Sequence, residues 1–532
     1  MGESMKVGIL ELLADTPTAG WAEAARHYLT VKQYASIMPQ AVAVWCRQLG
    51  HQVFYATWYG QGEPKRLLPD DLDVVFIACY TQASALAYAL SRLYRRERTL
   101  TVIGGPHARC FPHDCLRFFD LVVLQCDKTL VADILGGAFS PHSIISSTRP
   151  LTDLPSVEER MPEIRASAFF RGRWPYVSTT VPLLASVGCP YTCNFCTDWN
   201  NPYMPLPLDR LEADLQYLSA HLPTVKIAFH DPNFAVKFDQ TLDVLERVPP
   251  RLRNPYIMES SLAVLRGPRL QRLHDTHCIY VALGIESWSH YSNKTGVGGK
   301  TGSDKVLLLL EHLEALHEHV LGIQANFIFG LDTDEGDEPM ELTKEFMSRT
   351  PYAWPVVNIP VPFGGTPLYD QYLRNGRILT SMPFTFYYSP YLVTTLKNYD
   401  PVAYYQKLTD ISIHYSSRTM LWRRLLTTPT WSLRLLHAVR TAGMSERTRE
   451  FKEILGLMTT DSRFRAFHEG GTPVLPEFYH KQYERMLGPY APLLSRADRT
   501  PELAPMNIPL ASGKASPDQQ LSEESAPQRQ SP

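Results

Sequence analysis

The chain has 532 residues, 44% of them hydrophobic and 20% charged, with a formal net charge of −2. That length buries ample core for two or three domains, and the near-neutral balance excludes a bulk drive toward nucleic acid or anionic membrane while leaving room for a local basic patch. Nine cysteines at irregular spacings argue for a reducing cytoplasm rather than a disulfide scaffold. The first residues, MGESMKVGILELL, lack the basic start and cleavage site of a signal peptide. No apolar run approaches the about 20 residues of a transmembrane helix, although a peripheral membrane contact stays open.

In chain order, 6–13 is a short apolar run and predicts a first strand; 21–39 supports no assignment. Residues 41–49 predict a helix stopped by Gly50, and 51–57 a second strand. The run at 72–79 has the unbroken apolarity of a parallel strand buried on both faces. A helix at 83–94, strands at 100–103 and 121–124 and a helix at 129–135 complete an alternation that implies a doubly wound α/β sheet of flavodoxin-like type. Ligands bind such sheets at the strand carboxyl ends, where Tyr80, Thr81 and the turn Gly104-Gly105-Pro106-His107 fall. Residues 139–181 carry few periodic signals and several prolines, and read as a linker.

From Pro182 a six-fold alternation begins. Strands are expected at 182–187, 225–230, 255–260, 279–285, 321–329 and 355–361, with helices at 207–221, 238–247, 266–275, 303–318 and 335–349. Six βα units make a partial barrel with its site at the strand carboxyl ends. The first strand runs into Gly188–Cys196, GCPYTCNFC, which sets Cys189, Cys193 and Cys196 in the spacing C-x3-C-x2-C. Thiolates are the soft ligands iron–sulfur clusters select, and three on one loop can hold three irons of a four-iron cluster, leaving the fourth open to a chelating substrate. Phe195 can shield such a cluster from water. The alternatives are a zinc knuckle or unrelated thiols; zinc usually wants four ligands in paired C-x2-C units, and no second pair follows.

This nonet resembles the signature of the radical S-adenosylmethionine (radical SAM) superfamily. Further strand ends match it. His230-Asp231-Pro232-Asn233-Phe234 is similar to the Asp-Asp-x-Phe-like version of the run that grips the amino group of SAM, with Asp231 either holding the ammonium or capping a polar turn. Gly284-Ile285-Glu286-Ser287 resembles the family's G-x-E-S run, implying that Glu286 and Ser287 reach the ribose and carboxylate of SAM. Lys294 either meets that carboxylate or is a solvated loop lysine. Phe329-Gly330 looks like the strand end whose backbone receives adenine; Gln324 and Asn326 share one strand face as barrel polar groups or substrate contacts. Pro362-Phe363-Gly364-Gly365-Thr366-Pro367-Leu368-Tyr369 is close to a P-x-P-G-T-P-L-Y run of the cobalamin-type subclass.

The first half resembles the cobalamin-binding domain of that subclass, best in Val102–Ala108, VIGGPHA. The resemblance implies corrin contacts by Thr81, Gly104, Gly105, Pro106 and His107, the last a turn residue rather than a cobalt ligand. The family's D-x-H-x2-G motif is absent, and Gln125-Cys126-Asp127-Lys128 stands where a G-E-G-E run is common. The implied organisation is a cobalamin-binding-like domain (1–140), a linker (141–180), a radical SAM core barrel (181–370), a mainly helical C-terminal domain (371–495) and a disordered tail rich in Pro, Ser, Gln and Glu (496–532).

The C-terminal helices are expected near 401–424, 430–442 and 446–457. Phe384, Phe386, Tyr387, Tyr388 and Tyr391 form either plain core or a pocket, and Arg418, Arg423 and Arg424 form a basic edge. The resemblance implies a [4Fe-4S] cluster, SAM and cobalamin as cofactors, reductive cleavage of SAM to a 5′-deoxyadenosyl radical, and C-methylation of a small-molecule or lipid substrate. It also implies an electron donor such as flavodoxin or ferredoxin. No catalytic residue is assigned beyond the cluster ligands. The other expectations are radical rearrangement, cyclisation or oxidation without methylcobalamin, and a non-catalytic cobalamin- or cluster-binding protein. A nucleic-acid substrate would call for a basic appended domain, and none is evident.

Overall fold

The computed structural model describes residues 4–17, 35–148, 151, 153–291 and 294–504. Two six-stranded sheets, both wholly parallel, organise it. The first holds β1 (Lys6–Leu12), β2 (Gln52–Trp58), β3 (Val74–Cys79), β4 (Leu100–Gly104), β5 (Leu121–Val123) and β6 (Ser143–Ile145), in the order β2-β1-β3-β4-β5-β6. Helices α1 (Ile37–Gln48), α2 (Ser84–Arg96) and α3 (Lys128–Leu135) cover its faces. The order reverses between β1 and β3, which opens a crevice at the carboxyl ends of those strands.

The expected linker is more structured than its composition implied. Its start supplies β6, a sixth strand, and it contains α4 (Val157–Ala168). Ser156 and Glu159 form a capping box at the start of α4. Arg160, fully buried, ties α4 to Gln40 of α1 (2.8 Å) and to the Pro182 carbonyl (3.2 Å), joining the two sheets from behind.

The second sheet has the order β12-β11-β10-β9-β8-β7, from β7 (Thr180–Leu183) through β8 (Lys226–Phe229), β9 (Tyr256–Ser260), β10 (Cys278–Glu286) and β11 (Gly322–Ile328) to β12 (Ala353–Asn358). The helices α5 (Leu208–His221), α6 (Phe238–Arg247), α7 (Arg269–Asp275), α8 (Gly302–His317) and α9 (Glu338–Arg349) pack outside it. Outward residues of the strands, such as Ile227, Met258, Val281, Leu283, Ile323 and Ala325, join Leu309, Leu313 and Leu316 of α8 in one core. β7 and β12 lie at opposite edges, so the barrel is open.

The run Gly364–Tyr369 closes the joint between the sheets. A β-carbon on Gly364 would overlap the carbonyl oxygen of Cys110, so only glycine lets the barrel approach the first domain this closely. Thr366 then caps α10 (Pro367–Arg374) by accepting from Tyr369 N at 3.2 Å.

The C-terminal part contains α11 (Pro401–Ser416), α12 (Arg418–Thr427), α13 (Trp431–Thr460), α14 (Ser462–His468), α15 (Glu477–Leu487) and α16 (Arg496–Arg499). The helix expected across 401–424 breaks at Ser417, whose hydroxyl caps α12. α13 is continuous where two helices were expected, Gly443 included. Residues 496–504 are ordered and pack on the first domain: Arg92 pairs with Asp498 (2.7 Å), and Asp114 accepts from Glu502 N (2.8 Å). The remainder of the expected tail, 505–532, lies outside the described residues.

A Gly364→Ala variant should lose stability by about 1–3 kcal/mol, because the obstacle is backbone. Gly443 meets nothing within 4 Å, and Gly443→Ala should gain about 0.5–1 kcal/mol. Thermal unfolding of the two variants beside the parent measures both.

Candidate active site

The cysteine loop begins where a two-residue antiparallel pair, Ser186–Val187 with Met204–Pro205, pinches the chain after β7. Gly188 stands at φ 70° with its α-carbon against the Asn201 and Pro202 carbonyls, where no side chain fits. Cys189 N donates to the Asn201 carbonyl (3.0 Å) and Cys196 N to that of Cys193 (3.0 Å), so backbone bonds shape the loop. Trp199 Nε1 donates to the Gly365 carbonyl (2.7 Å) and Leu368 N to that of Asn194 (2.9 Å), anchoring the loop to the run after β12. Cys189 is buried; Cys193 and Cys196 are half-buried, and none of the three is in a disulfide. Among the described residues no three His, Cys, Asp or Glu side chains converge on a single metal ion. A cluster asks for less, because each thiolate takes its own iron, and a donor set of three soft thiols on one loop fits it.

Phe195 stacks on Tyr291, with centroids 5.6 Å apart, and Lys294 Nζ stands 6.0 Å from the Phe195 ring centroid. Lys294 is thus half-buried beside the cysteine loop rather than solvated. Glu286 sits on a bulge at the end of β10, with φ 66°. Its carboxylate folds back over Gly284, where a β-carbon would overlap it. Burial raises the Glu286 carboxyl, and Lys294 and Lys305 pull it down.

Lys305 was missed by sequence reading. It lies one helical turn before Leu309 on the buried stripe of α8, which is the signal that could have found it. Its ammonium donates to the carbonyls of Ser287 (2.6 Å) and Ser289 (3.1 Å), and burial draws it down to about 8. Asp334 was also missed. It accepts from Gly330 N (2.9 Å), Leu331 N (3.1 Å) and Ser287 Oγ (3.2 Å), binding the ends of β10 and β11 together.

Other expected residues sit differently. Both Asp231 oxygens accept from Ala185 N (3.2 and 3.0 Å) and one from Ser186 Oγ (2.5 Å), so the carboxylate braces the approach to the cysteine loop. Asn233 accepts from Ser261 N (2.9 Å), while its buried Nδ2 has no protein partner. The carbonyl of Phe329 accepts from Tyr404 Oη (2.6 Å), and the two rings stack at 5.4 Å. The close approach that Gly330 permits (φ 96°) is to the Tyr404 ring. Gln324 and Asn326 satisfy one another (2.8 Å), with Tyr280 Oη (3.0 Å) and the Leu283 carbonyl (3.1 Å) completing a barrel network.

Between the cysteine loop and the first sheet lie two adjoining cavities of about 490 and 630 Å3. Gly104, Gly105, Pro106, Gln125 and Cys126 line the first from one side; Val187, Thr197 and Asn201 line it from the other. Arg109 and Asp198 pair across the joint at 3.1 Å and both touch the first cavity. Gly105, at φ 91°, would set a β-carbon 3.3 Å from the Cys79 backbone. The size of the paired space, its apolar floor of Ile9, Phe76 and Val102, and its glycine wall fit a corrin with its tail. Thr81 and His107 do not line either cavity. His107 is buried behind the turn, 2.6 Å from Tyr88 Oη and against Phe111 and Phe384; burial holds its ring neutral, down to about 3. Phe384, Phe386 and Tyr387 are core rather than pocket, and of the basic edge Arg424 is fully buried.

Burial pushes the Asp231 and Asp334 carboxyls up to about 6. In this range the unfolded chain releases these protons before the folded chain does. Their stabilisation is whole below about pH 4 and is lost as pH rises through 6, each carboxyl being worth on the order of 2–3 kcal/mol. In denaturant unfolding, the stability of the D231N/D334N variant should therefore fall less between pH 4 and 6 than that of the parent; a parallel profile would refute the assignment.

No family model matches the chain. It is 24% identical over 321 residues to the bacteriochlorophyllide d C-12(1)-methyltransferase of Chlorobaculum tepidum, covering 57% of this chain and 67% of that protein. The C-8(2)-methyltransferase of the same organism is 24% identical over 381 residues (67% and 80% covered). The hopanoid C-2 methylase of Rhodopseudomonas palustris is 23% identical over 205 residues (36% and 38%). In fold, the chain is similar to the radical SAM methyltransferase TsrM from Kitasatospora setae, solved with cobalamin and a [4Fe-4S] cluster. The TM-score is 0.50 at 12% identity, over 72% of this chain and 76% of that one. With its cysteine loop set at the mouth of an open parallel barrel and a second parallel sheet facing it, the chain is similar in fold to a radical SAM methyltransferase solved with cobalamin and a [4Fe-4S] cluster, and in sequence to curated methyltransferases.

Proposed function

We propose that this protein is a radical SAM enzyme that uses cobalamin to C-methylate an unactivated carbon of an apolar small molecule or lipid. The observation that carries the reading is the facing arrangement of the cysteine loop and the glycine turn across one shared space. Cys189, Cys193 and Cys196 would hold the cluster, and Gly104, Gly105, Pro106, Gln125 and Cys126 the corrin. When bound, cluster and SAM supply the radical that removes hydrogen, and cobalamin supplies the methyl carrier.

The remaining work belongs to the chain. Asn233 offers an uncommitted amide and Glu286 a carboxylate suited to a ribose diol, while Ser287 is held by Asp334. Lys294 places a cation beside the thiols for an incoming carboxylate. Asp231 positions the loop, and Phe195 with Tyr291 shields it from water. Tyr404 closes the barrel mouth from the C-terminal domain. A one-electron donor such as flavodoxin or ferredoxin and a cytoplasmic setting complete the proposal; none of the nine cysteines is in a disulfide, which suits a reducing compartment.

The test is protein made and reconstituted without oxygen in the presence of hydroxocobalamin. About four irons and about one cobalt per chain are expected, with 5′-deoxyadenosine released from SAM under reduction. The C189A/C193A/C196A variant should lose iron and SAM cleavage together; retention of both would overturn the reading. Gly104 has no neighbour nearer than 4.0 Å to a β-carbon, so Gly104→Phe projects into the cavity with little cost to the sheet. It should lower cobalt at least about tenfold and leave iron unchanged. Unchanged cobalt would remove cobalamin from the first domain.

A further inference from the structure

Between Asp410 and Glu446 the chain has no acidic residue and five arginines: Arg418, Arg423, Arg424, Arg434 and Arg440. The segment runs from the end of α11 through α12, a corner at 428–430 and the first half of α13. Three of the arginines face inward. Arg424 donates to the Tyr415 carbonyl (2.6 Å) and lies over the Trp354 ring at 5.1 Å. Arg440 donates to Tyr280 Oη (2.8 Å) and lies over the same indole at 5.5 Å. Arg434 Nε holds the Thr428 carbonyl at the corner (2.8 Å). These bonds seat the hairpin firmly on the strand-start end of the barrel, away from the cysteine loop.

The outward side carries four large apolar side chains. Trp422 and Leu426 stand one turn apart on α12, exposed by 64% and 77%. Trp431 and Leu435 stand one turn apart on α13, exposed by 79% and 59%. All four lie within about two turns of the corner. Arg418 and Arg423 are exposed on the same helix as Trp422. Single exposed apolar residues are ordinary. Two tryptophans and two leucines at one corner, on a segment that carries exposed arginines and no acidic residue of its own, match the chemistry of a membrane interface, where indoles settle at headgroup depth and arginines meet phosphate.

We propose that the α12–α13 corner docks the protein on an anionic lipid bilayer. Trp422, Leu426, Trp431 and Leu435 enter the headgroup–acyl boundary, and Arg418 and Arg423 pair with lipid phosphates. The contact is peripheral, since no helix among the described residues is long and apolar enough to cross a membrane. It uses no residue of the cysteine loop or the cavities, so it stands apart from the methylation reading.

The test is flotation of the full-length reconstituted protein with vesicles of phosphatidylcholine alone or mixed equally with phosphatidylglycerol. The parent should float with the anionic vesicles, with a blue shift of tryptophan emission, and less so at high salt. W422S/L426S/W431S/L435S should lower partitioning more than about tenfold with iron content and circular dichroism unchanged. R418Q/R423Q should lower binding to anionic vesicles about fivefold per charge removed and leave phosphatidylcholine binding unaltered. Absence of flotation, or equal flotation by the quadruple variant, would overturn the proposal. So would concentration-dependent self-association without lipid that the quadruple variant abolishes, which would give the corner to a second copy of the chain.

Discussion

Everything in this molecule depends on how closely two parallel sheets approach with their carboxyl ends toward a common space. Gly364 sets that distance, because its bare α-carbon rests on the Cys110 carbonyl. Arg109 and Asp198 hold the same joint electrostatically, one from the glycine-turn side and one from the cysteine-loop side. An ion pair of this exposure adds little to stability. Its value is in register, since it fixes one rim of the cavity against the other.

Buried polar groups serve the same end within the barrel. Asp231, Asp334 and Lys305 each satisfy backbone groups at strand ends, where a parallel sheet runs out of ladder partners. They leave the neighbouring Glu286, Lys294 and Asn233 in fixed positions. The energetic burden is visible in the carboxyls of Asp231 and Asp334, which the fold keeps partly desolvated.

Much of this was legible in the sequence, for physical reasons. Parallel strands buried on both faces write continuous apolar runs, as in Val74–Cys79, and helices between them write a 3.6-residue period, as in α8. Three thiols at close spacing carry their chemistry in the spacing itself. Side-chain direction was not legible. Asp231 and His107 sit within the expected motifs, yet one turns to the Ala185 N–H and the Ser186 hydroxyl and the other to Tyr88. Tyr404 is separated from Phe329 by 75 residues, so no local pattern could pair them. The strand β6 was hidden because three residues at a sheet edge are too few to show a period.

The return of residues 496–504 to the first domain has a further consequence. Arg117 reaches the Thr500 carbonyl (2.8 Å), and Asp114, which bonds Tyr88 behind the glycine turn, also receives Glu502 N. The first sheet is thus completed by the last stretch of the described chain. Such a sheet cannot be inherited as a free-standing cassette: recombination that exchanged it between relatives would have to carry the 496–504 stretch with it, or break the hydrogen bonds that back its glycine turn.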